Sequence, residues 1–333
     1  MEALPSDEAL SERFRQGKCL TRPELAVLLA YSKIFLKSQL VDSTVGDDPL
    51  IAREILKMFP VEMVCGYGAE LLQHRLRKEI IATALANNIV DHMGIMFVVH
   101  LMEFVGGTVA DVARAYMASS ESFGVREWYQ QIAAVEGVDE EIKLSMLLEI
   151  IRLGRRATRW ILRQRQELLG VEEFVERYQP RIAELIECRK LLLSDRNSAA
   201  WASNVTVLVA LPIIDVAEST HTRPRRVAEV FSSVANELGL DWLMDQVAQL
   251  SSSSHWQSME RDSLVDDITS HQGMIAERCL TQSAGDVQPW LATQERFSLA
   301  WRRVIDDAQQ AAVKDFSMFS MTCRKLGDLC RSI

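Results

Sequence analysis

Apolar residues in this chain recur three and four positions apart over long stretches, and convincing period-2 alternation appears nowhere. Between Leu20 and Leu40, the positions Leu25, Leu28, Leu29, Ser32, Phe35 and Leu36 follow helical spacing behind Thr21-Arg22-Pro23-Glu24. A threonine three residues ahead of a glutamate is a capping box. Each side chain takes a backbone N–H that the first turn leaves orphaned, and the proline has none to lose. Asp47-Asp48-Pro49 starts a second helix through Leu50, Ile51, Ile55, Leu56 and Met58, which stops at Phe59-Pro60. Leu72, Leu76, Ile80, Leu85 and Ile89 predict one long helix between Ala69 and Val90, ended or kinked by Gly94, and a further helix runs to Gly106-Gly107. Thr108 and Asp111 repeat the cap before DVARAYMASSESF, Glu127–Val135 reads as a short helix, and Asp139 caps a long one over Glu140–Leu169.

Beyond Gly170 comes VEEFVERYQPRIAELIECRKLLL, with a break or kink expected at Pro180, and Leu193–Asn197 reads as a loop. Thr222-Arg223-Pro224 starts a helix to Leu238-Gly239, and Asp241 starts another to Leu250. Ser251–Ser254 is a loop whose end caps HWQSMERDSLVDDITSHQGMIAERCL. Asp286 and Pro289 open a last helix, WLATQERFSLAWRRVIDDAQQAAV, with room to continue toward the C-terminus. The predicted fold class is all-α, built as multi-helix bundles. Two stacked subdomains, 1–169 and 170–333, or one continuous bundle both accommodate the pattern, Gly170 being the softest boundary.

Composition sharpens this picture. Only 15 Gly and 8 Pro in 333 residues leave little punctuation for short strands and tight turns. Hydrophobic residues at 48% and charged residues at 25% are ordinary for a soluble globular protein. A net charge of −9 argues against nucleic acid or an anionic membrane as partner. The longest apolar runs, Ile95–Val105 and Val205–Ile214, fall short of the roughly 20 residues a bilayer demands and read as buried core helices. MEALPSDEALSERF lacks the basic and apolar regions of a signal peptide, and the six cysteines contain no C-x-x-C pair, so a reduced cytoplasmic protein is expected. Cys323 and Cys330 share a helix face, but a zinc site needs about four ligands.

Candidate chemistry is sparse. A dinucleotide site needs a glycine turn between a strand and a helix. The nearest candidates, Cys65–Gly68 and Val105–Gly107, read as helix junctions. The histidines show no H-E-x-x-H spacing, and no G-x-S-x-G elbow occurs. No catalytic, cofactor-binding or metal-binding residue is therefore expected. The feature above background is cationic: Arg152, Arg155, Arg156, Arg159 and Arg163 line one helix face, with no acid between Glu149 and Glu167. Such a stripe is either a solvated face meeting acidic helices of the same chain, such as Glu172–Glu187, or a contact surface for something outside it. His74-Arg75-Leu76-Arg77-Lys78 is a smaller basic patch with Glu70 or Glu79 as expected partner.

LTRPELAVLLAYSKI resembles the segment that follows the catalytic core in the very large bacterial NAD-specific glutamate dehydrogenases. HRLRKEIIATALANNIVDHMG (His74–Gly94), DVARAY (Asp111–Tyr116) and HWQSMERDSLVDDI (His255–Ile268) match the same family in the same order. Cys19 stands where a glycine is expected before LTRPEL. The resemblance implies the helical, non-catalytic C-terminal portion of an enzyme that oxidatively deaminates L-glutamate with NAD. It places the cofactor and active site outside this chain. The implied partners are the catalytic part of the same polypeptide and neighbouring subunits, and the implied roles are packing, assembly or regulation. The main alternative is a free-standing helical interaction module, and a third, weaker reading is a self-sufficient enzyme, which a pocket with convergent ionisable groups would mark. An in-frame Rossmann-type domain upstream supports the first reading, and a stop codon there supports the second.

Overall fold

The computed structural model describes residues 4–163, 170–187, 210–251 and 254–333, and among them there is no strand. The all-α expectation holds. The chain divides into two compact units, Met1–Arg177 and Tyr178–Ile333, with the division inside one helix.

The first unit contains α1 (Asp7–Arg15), α2 (Arg22–Val41), α3 (Pro49–Ala52), α4 (Val61–Leu72), α5 (Arg77–Met93), α6 (Phe97–Val105), α7 (Val109–Phe123), α8 (Val125–Ala134), α9 (Glu140–Arg163) and the start of α10 (Val171–Glu187). Its centre is α7, where Val112, Ala113, Ala115, Tyr116, Met117, Ala118, Ser119 and Ser120 are all buried. Small side chains let α2, α5, α6, α8 and α9 pack around it. Predicted caps form as drawn: the Glu24 carboxylate accepts the Thr21 N–H at 2.7 Å, and Thr108 and Asp111 cap each other's backbone. The Asp48 carboxylate accepts the N–H groups of Leu50 (3.0 Å) and Ile51 (3.3 Å) through one oxygen, and that of Val171 (2.6 Å) through the other. One side chain thus caps α3 and the start of α10.

Several boundaries differ from expectation. The helix after Asp48 tightens into a 3-10 segment over Arg53–Met58. The stretch expected as one helix from Ala69 is broken between α4 and α5, where His74 Nδ1 accepts the Leu76 N–H at 3.1 Å. Cys65–Gly68 lies inside α4 and bends it at Tyr67 (φ −138°, ψ 28°). Gly94 (φ 90°) ends α5, and α6 departs at 88° to it. No single helix among the described residues is long and apolar enough to cross a membrane. Pro180 sits within α10, which continues through it. The end of α9 beyond Arg163, the expected loop at Leu193–Asn197 and the first half of the Val205–Ile214 run lie outside the described residues.

The second unit holds the rest of α10, α11 (helical over 210–219), α12 (Pro224–Leu238), α13 (Leu240–Ala248), α14 (His255–Ser283), α15 (Val287–Thr293), α16 (Glu295–Gln310) and α17 (Phe316–Cys330). The expected single last helix is three. Gln294 (φ −101°, ψ 48°) breaks the first junction, and Asp315 caps α17 through the Met318 N–H at 2.9 Å. The 29-residue α14, capped by Ser254, is the axis on which α12, α13, α15 and α17 pack. The core here is aromatic: Phe231, Trp290, Phe297, Trp301 and Phe319 are buried. Buried indole N–H groups need partners. Trp301 donates to the Leu238 carbonyl and Trp290 to Gln282 Oε1, both at 2.8 Å.

Candidate functional site

The five-arginine face belongs to α9, a helix of two unlike halves. Its C-terminal half buries Gly154, Ala157, Thr158, Ile161 and Leu162, whereas its first three turns bury nothing. Gly154 sets the approach to α5: a Cβ there would lie 2.8 Å from Met93 Cε. That closeness lets the Arg155 guanidinium donate to the Met93 carbonyl at 2.6 Å. The last carbonyls of a helix lack intrahelical donors and carry its negative dipole end, so a cation is favoured there. Burial, and then the nearby Arg152 charge, hold the Arg155 pKa below its ordinary value. Arg152 pairs with Glu149 one turn back. Arg156 and Arg159 are half-buried, and Arg163 is exposed. The stripe is therefore not uniform, since Arg155 is already committed to a neighbouring helix. The smaller patch behaves likewise: Arg77 pairs with Asp47 at 2.9 Å, not with Glu70 or Glu79.

Beneath these surfaces lies a charge cluster the sequence does not announce. Glu54 is 2% exposed and Arg126 6% exposed. Arg126 donates to Glu54 Oε2 at 2.8 Å and, through its other terminal nitrogen, pairs with Glu121. Lys57 reaches Glu54 Oε1 at 2.8 Å, and Asn88 donates to Oε2 at 3.2 Å. The buried Tyr116 hydroxyl faces the Asn88 carbonyl at 3.5 Å, and its pKa is raised, first by burial. The buried Glu54 and Arg126 are thus satisfied by each other and by Glu121, Lys57 and Asn88 at the edge of the cluster, which is the condition for tolerating buried charge. The signal available in sequence was the small-residue helix DVARAYMASSESF. A helix buried over most of its surface holds Arg126, just beyond its end, away from water.

Among the described residues of the second unit, two open clefts stand out. One, about 520 Å³, is lined by Glu237, Gln288, Glu295, Arg302 and Asp306 among others. The other, about 340 Å³, lies between α14 and α17, beside Glu260, Asp267, His271, Ser320 and Cys323. There the Ser320 hydroxyl donates to Glu260 at 2.7 Å. Burial, and then the Asp267 charge, push the Cys323 thiol up to about 12, so it stays protonated and a poor nucleophile at neutral pH. Among the described residues, no group of three His, Cys, Asp or Glu side chains is placed to hold a metal ion.

Helical packing within each unit, a buried ion pair and a basic helix face define an all-α module. A sequence profile of the family described as "Glutamate dehydrogenase, C-terminal" matches residues 17–210 and 201–328. The chain belongs to that family. Aligned over its whole length, it is 35% identical to a protein of Halomonas elongata and 34% identical to one of Pseudomonas aeruginosa, each named NAD-specific glutamate dehydrogenase. A protein of that name from Mycobacterium tuberculosis is 28% identical. The chain spans 22% of the length of each of these relatives.

Proposed function

We propose that this chain acts as the helical C-terminal part of an NAD-dependent glutamate dehydrogenase, serving packing, assembly or regulation of a catalytic part carried on the same polypeptide. The observation that carries this reading is full-length similarity to only 22% of proteins named for that activity. The parent reaction converts L-glutamate, NAD⁺ and water to 2-oxoglutarate, ammonium, NADH and a proton. NAD is assigned to the catalytic part, a cytoplasmic setting goes with that role, and neighbouring subunits are further partners.

Two measurements test it. The isolated chain is titrated with NADH while nucleotide fluorescence is followed, and the expected result is no saturable signal at micromolar concentration. The full polypeptide is assayed for NAD-dependent glutamate oxidation with and without this region. Loss of assembly or turnover on deletion supports the reading, and an undiminished enzyme overturns it.

A further inference from the structure

Helix α2 is apolar around its whole circumference: Leu25 and Leu29 lie on one side, with Tyr31, Ile34 and Phe35 spread over the others. A helix of that composition is normally enclosed. Within the first unit, α7 obeys the rule, but α2 does not: only Leu36 and Leu40 are buried. Tyr31 is 55% and Ile34 63% exposed, and Leu25, Leu29 and Phe35 are exposed as well. The preceding helix adds to the anomaly. No residue of α1 is buried, Phe14 is 84% exposed, and α1 is tied to α2 through Arg13, which pairs with Glu24 at 2.7 Å. Residues 14–35 thus expose six large apolar side chains, Phe14, Leu25, Leu29, Tyr31, Ile34 and Phe35, a concentration of the kind that marks an interaction site.

The occupant follows from where the rest of the polypeptide lies. The family description places the matched region at the C-terminal end, and this chain accounts for 22% of its relatives' length, so the bulk of such a polypeptide joins on the side of α1 and α2. Charge around the face is of both signs, with Asp7, Glu8 and Glu12 exposed on α1 and Arg22 on α2. We propose that α1 and the first turns of α2 are the seat for the preceding, catalytic-side portion of the same polypeptide, through an apolar segment. This inference rests on the reading given under Proposed function.

Photocrosslinking in the full-length polypeptide tests it. Benzoylphenylalanine replaces the exposed Ile34, the sample is irradiated, and the captured peptide is identified by mass spectrometry. The expected product joins position 34 to a peptide that precedes this chain. Capture of another part of this chain, of the same helix in an isotopically distinguished second copy, of an unrelated protein, or of nothing overturns the proposal. As an independent readout, Leu25→Gln, Tyr31→Gln and Ile34→Gln together should speed amide exchange over residues 22–35 at least roughly ten-fold in the full-length protein. Unchanged exchange counts against the seat. A polypeptide that oxidises glutamate yet gives no such crosslink overturns the seat alone. A natural polypeptide no longer than this chain overturns both readings.

Discussion

The two units solve the same problem with opposite chemistry. The first buries charge, with Glu54, Arg126 and Glu121 closing on one another beside Tyr116. The second buries rings, with Trp290, Trp301, Phe231, Phe297 and Phe319 filling the spaces between helices. Ion clusters are directional and fail when one partner is removed, whereas ring packing degrades with lost volume. The first interior therefore specifies which helices meet, and the second how closely they approach. Both units nonetheless share one device, an arginine donating to the last carbonyls of a neighbouring helix: Arg155 to Met93 in one, and Arg278 to Cys330 at 2.8 Å in the other.

The sharpest break of this contrast is Arg126→Met. It leaves the buried Glu54 carboxylate with only Lys57 and Asn88 and is expected to cost about 3 kcal/mol, read as a fall in the urea midpoint. Adding Glu54→Gln should recover part of that loss. A single variant as stable as the parent would show the cluster to be solvated. In the second unit, Trp301→Phe removes both volume and the N–H bond to Leu238, for a loss of about 1–3 kcal/mol by the same measurement. No loss there would mean that the indole is not held by the ring packing described.

Smaller effects follow. Asp48→Ala uncaps α3 and the start of α10 together, and about 1–2 kcal/mol is expected for each cap. Faster amide exchange at both Leu50 and Val171 is the specific signature, and exchange changing at one site only would separate the caps. Alkali should act on α17. Burial raises the thiol pKa of Cys323 to about 12 and of Cys330 to about 11, from an ordinary 9.0. A raised folded-state pKa contributes stability fully present below the ordinary value and lost as pH climbs through the folded one. The urea midpoint should therefore fall from about pH 9 upward, and less so in a Cys323→Ala, Cys330→Ala variant. A fall of equal size in that variant would contradict the role of the buried thiols. The mildest change is Arg155→Gln, expected to cost about 0.5–1.5 kcal/mol through the Met93 carbonyl. A loss that disappears in high salt would instead assign Arg155 a surface charge role.

Caps were the most legible part of the sequence. Thr21, Asp48, Thr108, Asp139 and Ser254 each start a helix where their side-chain chemistry indicates, because the signal lies within four residues. Breaks were harder to read. Apolar spacing runs on from Leu72 to Leu76 although the chain turns at His74, since periodicity records which face is covered and not whether the backbone is continuous. Glu54 was illegible for a third reason. In REILKM it looks like a solvated position, and its buried partner, Arg126, comes 72 residues later. The five arginines were readable as a face, but the Met93 carbonyl that takes Arg155 follows from where α5 ends against α9, which no local pattern encodes.

Asp48 carries a consequence for synthesis. Its first oxygen finds its partners two and three residues downstream, almost as soon as they leave the ribosome. The second waits for the Val171 N–H, 123 residues later. During translation the first unit is thus an open circle whose clasp is the last piece to emerge. Pausing on either side of the codon for Val171 should change how tightly the nascent first unit resists protease.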